Sequence, residues 1–200
     1  MTTIAPVTTY PPRELVPKGN QIARLYSFIH IGTVKFEYKG EPKETNKIRL
    51  TFELPNEMRV FKDGEPEKPM VISQEFALSM HEKANLRKFI ESMVGTALND
   101  DEARDFDVES LIGTTCLLNI VHEAKNGKEY ANIQSASPLV KGMEAPPAIN
   151  EPLVLNYGDM WNEEVFKALP EFLRTKMEAT PEWKAKGMET LSDGSSMPSF

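Results

Sequence analysis

The sequence has a single cysteine, Cys116, among its 200 residues. An intrachain disulfide is therefore excluded, which fits a reducing compartment. No apolar run approaches the roughly 20 residues that a transmembrane helix needs. The opening segment MTTIAPVTTYPPRELVPKGN lacks both a basic start and an apolar stretch, so we expect no signal peptide. These absences predict a cytoplasmic protein that has no contact with membranes.

Residues for catalysis or metal binding are also scarce. His30, His81 and His122 are far apart in sequence and share no ligand spacing with Cys116. The chain has no Gly-Lys-Ser/Thr phosphate loop, no Gly-x-Ser-x-Gly elbow and no His-x-Glu deaminase signature. An acidic cluster at 100–109 has ligands for Mg²⁺, but its position after a helix favours a solvated surface. We therefore expect no catalytic residue, no metal and no cofactor, and a protein that is not an enzyme.

Positive charge is in the minority, because 23 Lys and Arg face 30 Asp and Glu and give a net charge of −7. The distribution is uneven. Residues 1–62 hold 10 basic and 6 acidic side chains, whereas the rest of the chain holds 13 and 24. A basic region on an acidic protein is compatible with nucleic-acid binding if the acidic residues lie elsewhere. An uneven surface charge with no partner is the alternative.

Strand patterning covers most of the chain between residues 21 and 137. Residues 21–38 are rich in β-branched and aromatic side chains, and Gly32 in their middle predicts a bulge or sharp bend. Residues 39–46 read as a polar turn, and residues 47–54 alternate strictly between polar and apolar side chains. Further strands are predicted at 59–61 and 70–78, around Asp63-Gly64, and at 114–122 and 129–137, around Asn126-Gly127.

A helix is predicted between the third and fourth of these strands. Ser79 and Glu82 match a capping box at its start, and Gly95 ends it. One apolar stripe runs along it, made by Leu86, Phe89, Ile90 and Met93. A second short helical turn follows, capped by Asn99. Five strands with a helix between the third and fourth predict an OB-fold, a five-stranded Greek-key β-barrel. An SH3-like barrel or a small sandwich is the alternative.

The composition changes after Pro138, where prolines predict an extended linker on the surface. A helical stripe follows at 161–173, interrupted by Pro170, and Thr180-Pro181 begins another short turn. The predicted organisation is an extended N-terminal arm (1–20), the barrel (21–139), a Pro-rich linker with a helical extension (140–187), and a flexible tail (188–200).

The basic N-terminal half mixes cations with flat side chains, which are the groups that proteins use to bind single strands. On the first predicted strand, Arg24, Tyr26, Phe28 and His30 share one face, whereas Leu25, Ile29 and Ile31 share the other. A core position for Phe28 is an open alternative, because a bulge at Gly32 exchanges the faces. The candidate DNA-binding residues are Arg24, Tyr26, Phe28, Lys35, Lys47, Arg49, Arg59, Lys128 and Tyr130.

A longer pattern lies in residues 79–143. It consists of Phe106, Asp107, Leu111, Gly113, His122, Asn126, Gly127, Lys128, Tyr130 and Ala131. This pattern resembles bacteriophage-encoded OB-fold single-stranded-DNA-binding and replication-accessory proteins. The resemblance covers roughly residues 20–145, and residues 166–183 are also similar to that group. It implies an OB-fold and the binding of single strands during phage DNA replication or recombination, in the cytoplasm of the host cell.

We therefore expect a single-stranded-DNA-binding protein with little sequence preference. A replication or recombination accessory protein whose barrel mainly docks another protein is the alternative. The last residues loosely resemble the Pro-Phe tips with which many single-strand-binding proteins contact replication partners, so Phe200 is a candidate partner contact. From Glu144 onward, 10 acidic residues face 5 basic ones, and we expect this region to compete with DNA for the basic groove. A second copy of the chain is a further candidate partner.

Overall fold

The computed structural model describes residues 14–158 and 161–192. Most of the predicted N-terminal arm, and Phe200, therefore lie outside the described residues. The strands are β1 (Gly19–Tyr38), β2 (Glu41–Arg59), β3 (Lys68–Ala77), β4 (Thr115–Lys125), β5 (Lys128–Ser137) and β6 (Leu153–Leu155). The helices are α1 (Asn85–Val94), α2 (Asp100–Arg104), α3 (Glu163–Ala168), α4 (Glu171–Glu178) and α5 (Pro181–Ser192), with a 3₁₀ helix at Val108–Leu111. Within these ranges, no helix is long and apolar enough to span a bilayer.

The fold is mainly β, as the strand patterning predicts. Five strands follow the order β3-β2-β1-β4-β5 in antiparallel pairs. The sixth strand, β6, runs parallel to the middle of β1, beyond the point where β4 begins. Among the described strands, β3 and β5 share no hydrogen-bond ladder, so the sheet is not closed.

Strand β1 is long enough to pair with β4 near its start and with β2 further along. Its first residues pair with β4, and its second half pairs with β2. The register shifts between His30 and Gly32, where Gly32 has φ 96°. The predicted bulge at Gly32 is therefore confirmed. A Cβ at this position would lie 2.8 Å from the carboxylate of Glu182 and 2.9 Å from the hydroxyl of Thr180. Glycine is needed here for both conformation and space.

Helix α1 packs its apolar stripe on the inner face of the sheet. Leu86, Ile90 and Met93 are buried in the main core, and Gly95 ends the helix in the left-handed conformation, as predicted. The predicted start at Ser79 is wrong, because α1 begins at Asn85. Ser79 instead accepts a hydrogen bond from the amide of His81, which forms a local turn of the kind that competes with helix capping.

The hairpin turns are tighter than the sequence suggests. Lys39 and Gly40 both have positive φ, and β2 already begins at Glu41, so the predicted polar turn at 39–46 is wrong. A two-residue turn with positive φ at both residues has a backbone twist that matches the right-handed twist of the two strands it joins. The same geometry is confirmed at Asn126-Gly127. The separate strand predicted at 59–61 is also wrong, since β2 runs without a break to Arg59.

The C-terminal region forms a second apolar cluster on the outward face of the sheet. Seven buried side chains make this cluster: Ile29, Ile31, Leu155, Phe166, Leu169, Leu173 and Met177. Pro170 separates α3 from α4, as predicted. The short strand β6 was not predicted. The helices therefore pack on β1 and are part of the folded unit.

Candidate nucleic-acid interface

The exposed end of the β1–β2 hairpin carries two aromatic rings on one face. Phe36 pairs with Lys43, and Tyr38 pairs with Glu41, so all four side chains project to the outward side of the sheet. Phe36 is 42% exposed and Tyr38 is 50% exposed. Two exposed rings on one face of a hairpin form a small flat apolar surface, and exposed apolar patches mark sites of interaction when they are contiguous.

Two lysines accompany these rings. The ammonium of Lys43 lies 4.7 Å from the centre of the Tyr38 ring, and that of Lys39 lies 5.5 Å from it. Both distances are within the range of a cation–π contact. Since the turn at Lys39-Gly40 is so tight, one cation from the turn and one from β2 converge on the same ring. The hairpin therefore presents flat surfaces and positive charge together.

Further along the outward face, three cations surround one carboxylate. Glu75 of β3 lies 3.8 Å from Lys47 and 3.6 Å from Arg49 of β2, and it contacts Lys176 of α4 directly. The three cations Lys47, Arg49 and Lys176 thus converge on one carboxylate. Grouped cations attract anions, and phosphate is the anion that a nucleic acid offers.

An exposed aromatic ring adjoins this cluster as well. The guanidinium of Arg49 lies 5.5 Å from the centre of the Phe172 ring on α4, and Phe172 is 58% exposed. We define the outward stripe as Phe36, Tyr38, Lys39, Lys43, Lys47, Arg49, Phe172 and Lys176. Strand β2 rises about 3.3 Å per residue, so the stripe extends about 20 Å from Lys43 to Arg49.

The middle of the outward face is covered by the C-terminal region. Glu53 is fully buried there, 3.1 Å from Arg24. It also accepts hydrogen bonds from the backbone amides of Ile149 and Asn150 and from the Asn150 side chain, at 2.7–3.2 Å. Arg24 donates in addition to the carbonyl of Pro146. Arg24 is thus engaged in holding the chain together.

The other two predicted residues of β1 are not free surface groups either. Phe28 is 3% exposed and packs in the main core, so its ring has no face available to a base. Tyr26 is half-buried, and burial, followed by the charge of Glu53, raises the pKa of its hydroxyl. The alternation of polar and apolar residues along β1 therefore does not mark an exposed face here.

His30, on the same strand, joins three parts of the chain. Its Nδ1 lies 2.7 Å from the amide oxygen of Asn156, and its Nε2 lies 2.7 Å from that of Asn46. The Asn156 amide nitrogen donates to Glu109, which fixes the orientation of that side chain. The amide oxygen of Asn156 therefore faces His30. Because that oxygen can only accept, Nδ1 of His30 is the donor. His30 ties β1 and β2 to the segment that follows β6.

The remaining predicted residues lie in three places. Lys35 is on the β1–β2 hairpin, beside Glu44 and on the side opposite to Phe36. Arg59 is held by Glu14 at 3.0 Å and by Glu57 at 3.7 Å. Lys128 and Tyr130 belong to the exposed β4–β5 hairpin, which extends past the start of β1. Along β1, this hairpin and the outward stripe therefore lie towards opposite ends.

The acidic cluster after α1 has a structural partner. Arg87 is buried and contacts Glu91 at 3.0 Å and Asp100 at 2.8 Å. A hydrogen bond from the Leu98 amide, together with Arg87, lowers the pKa of Glu91, and Arg87 lowers the pKa of Asp100. In the part of the chain that the structure describes, no three His, Cys, Asp or Glu side chains are grouped to hold a metal ion.

Comparisons with known proteins add no further constraint. No protein-family model matches the chain, and no curated protein matches it. Functional inference therefore rests on the geometry of the chain itself.

The candidate DNA-binding residues chosen from the sequence leave out part of the outward stripe. Phe36 and Tyr38 were visible as two aromatic residues at strand spacing, beside Lys39 and Lys43. The predicted turn at 39–46 hid the pattern, because it removed half of the hairpin from the sheet. Phe172 and Lys176 lie more than a hundred residues away, and no local pattern links them to β2.

Proposed function

We propose that this protein binds single-stranded DNA with little sequence preference, on the outward stripe and the β4–β5 hairpin, in phage DNA replication or recombination. The observation that carries the proposal is the β1–β2 hairpin, where the exposed Phe36 and Tyr38 rings stand beside Lys39 and Lys43. Exposed rings stack on unpaired bases of any sequence, and the lysines neutralise phosphates. The resemblance of residues 79–143 to phage single-strand-binding proteins supports the biological setting.

The sheet fits this role best as an open OB-type barrel. Its strand order β3-β2-β1-β4-β5 is the order of that fold before closure, and α1, between β3 and β4 in sequence, contacts β3, β4 and β5. OB-folds bind oligonucleotides on the face of strands 2 and 3 and on the loops 1–2 and 4–5. In this chain, those places hold Lys47 and Arg49, the β1–β2 hairpin, and Lys128 with Tyr130. Arg24 and Phe28 are left out of the proposed site.

Titration of the full-length protein with labelled oligo-dT tests the proposal. Binding should be tighter to the single strand than to duplex, and the logarithm of the affinity should fall linearly with the logarithm of the salt concentration. Tyr38→Ala should weaken binding by about 1–3 kcal/mol, the usual range for a ring that stacks on a base. Lys43→Gln should reduce the salt slope.

One matched variant serves as the control for the salt slope. Lys83→Gln removes an exposed lysine that lies 3.8 Å from its neighbour Glu82 and is not part of the outward stripe, so it should leave the salt slope unchanged. Equal binding to single and double strands, or no binding at low salt, would show that the protein has another function.

Protein docking is the second candidate function, and one observation favours it. Val140, Met143 and Ile149 are exposed apolar residues on a single segment of the chain. If the oligonucleotide titration fails, a charge substitution at Val140 that abolishes capture of one defined replication protein would favour this alternative.

A further inference from the structure

Helix α4 contributes two side chains to the same side of the outward stripe. Phe172 and Lys176 are four residues apart on α4, so they lie next to each other on one face of the helix. Lys176 contacts Glu75 of β3, and Phe172 lies beneath Arg49 of β2. Both contacts are with the strands on which the proposed site is built.

The adjacent face of α4 holds the helix in a fixed position. Leu173 and Met177 are buried with Ile29 and Ile31 of β1 in the second apolar cluster. The exposed ring of Phe172 is therefore not required for the packing of the helix. A ring that is 58% exposed, on a helix that is firmly attached, is available to a ligand.

We infer that α4 is a wall of the DNA-binding site, in which Phe172 stacks on a base and Lys176 contacts a phosphate. This inference rests on the proposed function. It assigns the single DNA strand a path along β2, from the β1–β2 hairpin to α4. Lys47, Arg49 and Lys176 surround Glu75, and the guanidinium of Arg49 lies 5.5 Å from the centre of the Phe172 ring. Phosphates and bases alternate along a single DNA strand, so a site for it needs cations next to aromatic rings.

The inference changes the expected role of the C-terminal region. Its acidic composition predicts competition with DNA, whereas the position of α4 predicts a direct contribution to binding. The first account predicts that the C-terminal region lowers the affinity for DNA, and the second predicts that α4 raises it. Removal of the uncharged Phe172 ring leaves affinity unchanged if the region acts only through its charge, and lowers it if α4 is part of the site.

The test is a set of single substitutions in the full-length protein, titrated with oligo-dT at two salt concentrations. Phe172→Leu retains an apolar side chain but removes the flat ring, and it should lower affinity on the order of tenfold. The matched control is Phe61→Leu, since Phe61 is a 61% exposed ring on the β2–β3 connection, away from the stripe. This control should bind as the unchanged protein does.

Lys176→Gln tests the phosphate contact through the salt dependence. It should reduce the salt slope by about one, because one fewer counterion is released. Lys184→Gln, an exposed lysine on α5, is its control and should leave the slope unchanged. Thermal unfolding of each variant separates loss of binding from loss of folding. An oligonucleotide with a photoreactive base should also cross-link to α4.

The outcomes separate this inference from the function on which it rests. If Tyr38→Ala weakens binding while Phe172→Leu and Lys176→Gln do not, α4 is outside the site and the inference is overturned, although the proposed function stands. If the unchanged protein fails to bind oligo-dT at low salt, the proposed function itself is overturned. Weaker binding by both α4 variants, with both controls unaffected, supports the inference.

Discussion

Glu53 is the residue that most changes how the outward face is understood. A buried carboxylate is tolerated only when it is paired and hydrogen-bonded, and Glu53 meets both conditions through Arg24 and three donors at Ile149 and Asn150. The donors at Ile149 and Asn150 are nearly a hundred residues away in sequence. Because of this pairing, Glu53 attaches the segment before β6 to the sheet, and the Arg24 charge is used inside the protein.

Replacement of Glu53 by Ala should destabilise the protein by about 3–5 kcal/mol, because it leaves the Arg24 charge buried without its partner. Urea unfolding measures this change as a lower midpoint at the same slope. Glu14→Ala removes a carboxylate from the exposed pair with Arg59, so it should change the midpoint very little. An unfolding midpoint for Glu53→Ala equal to that of Glu14→Ala would mean that Glu53 does not anchor the C-terminal region.

At the scale of the elements, α5 is attached to β1 by one carboxylate. Glu182 accepts hydrogen bonds from the amide of Thr33 at 2.9 Å and from its hydroxyl at 2.6 Å. Burial raises the pKa of Glu182, but these hydrogen bonds, together with one from its own backbone amide and the charge of His30, lower it by more, so the net pKa lies below its ordinary value of 4.5. The close approach of α5 is possible because position 32 is glycine.

The lowered pKa of Glu182 predicts acid sensitivity of this contact. A carboxyl whose pKa is depressed in the folded state contributes stability above its unfolded pKa and loses it as the pH falls through the folded pKa. The stability difference between the unchanged protein and Glu182→Gln should therefore be largest near neutral pH and should shrink below about pH 4.5. Denaturant unfolding followed by tryptophan fluorescence measures it, since Trp161 and Trp183 both lie in the C-terminal cluster.

Glu164→Gln is the matched control for this experiment. Glu164 is exposed and pairs with Lys167 within its own helix, so its substitution should give a small difference at every pH. A stability difference for Glu182→Gln that stays constant down to acidic pH would contradict the role given to the Thr33 contact.

Elements with a local signal could be predicted from the sequence, and contacts between distant segments could not. The stripe of Leu86, Ile90 and Met93 identified α1, and Asn126-Gly127 identified the β4–β5 turn, because both patterns arise from neighbouring residues. The alternation of polar and apolar side chains over residues 47–54 identified a strand, but it suggested that the polar face, which includes Glu53, is exposed. That face is covered by residues distant in sequence, and no periodicity encodes which segment returns to cover it.

At the scale of the whole molecule, the C-terminal region should have two opposing effects on the proposed DNA binding. From Glu144 onward it carries 10 acidic and 5 basic residues, so its net charge repels phosphate. It also supplies Lys176 and Phe172, and it covers Ile29, Ile31 and Glu53. Repulsion between exposed charges is largely screened beyond about 8 Å at physiological salt, whereas packing and direct contacts are not. The structural contribution should therefore prevail at that salt concentration.

Truncation after Leu139 tests this balance. It removes α3, α4, α5 and β6, exposes Ile29 and Ile31, and leaves Glu53 without its backbone donors. We expect the truncated chain to unfold at a much lower temperature and to bind oligo-dT more weakly at physiological salt. A chain that ends after Ser192 keeps every described contact, and it should match the full-length protein in melting temperature and affinity. Calorimetry and oligonucleotide titration at low and physiological salt provide the comparison. A folded truncation that binds more tightly at both salt concentrations would show that repulsion by the acidic region prevails, and that the helices restrict access to the site.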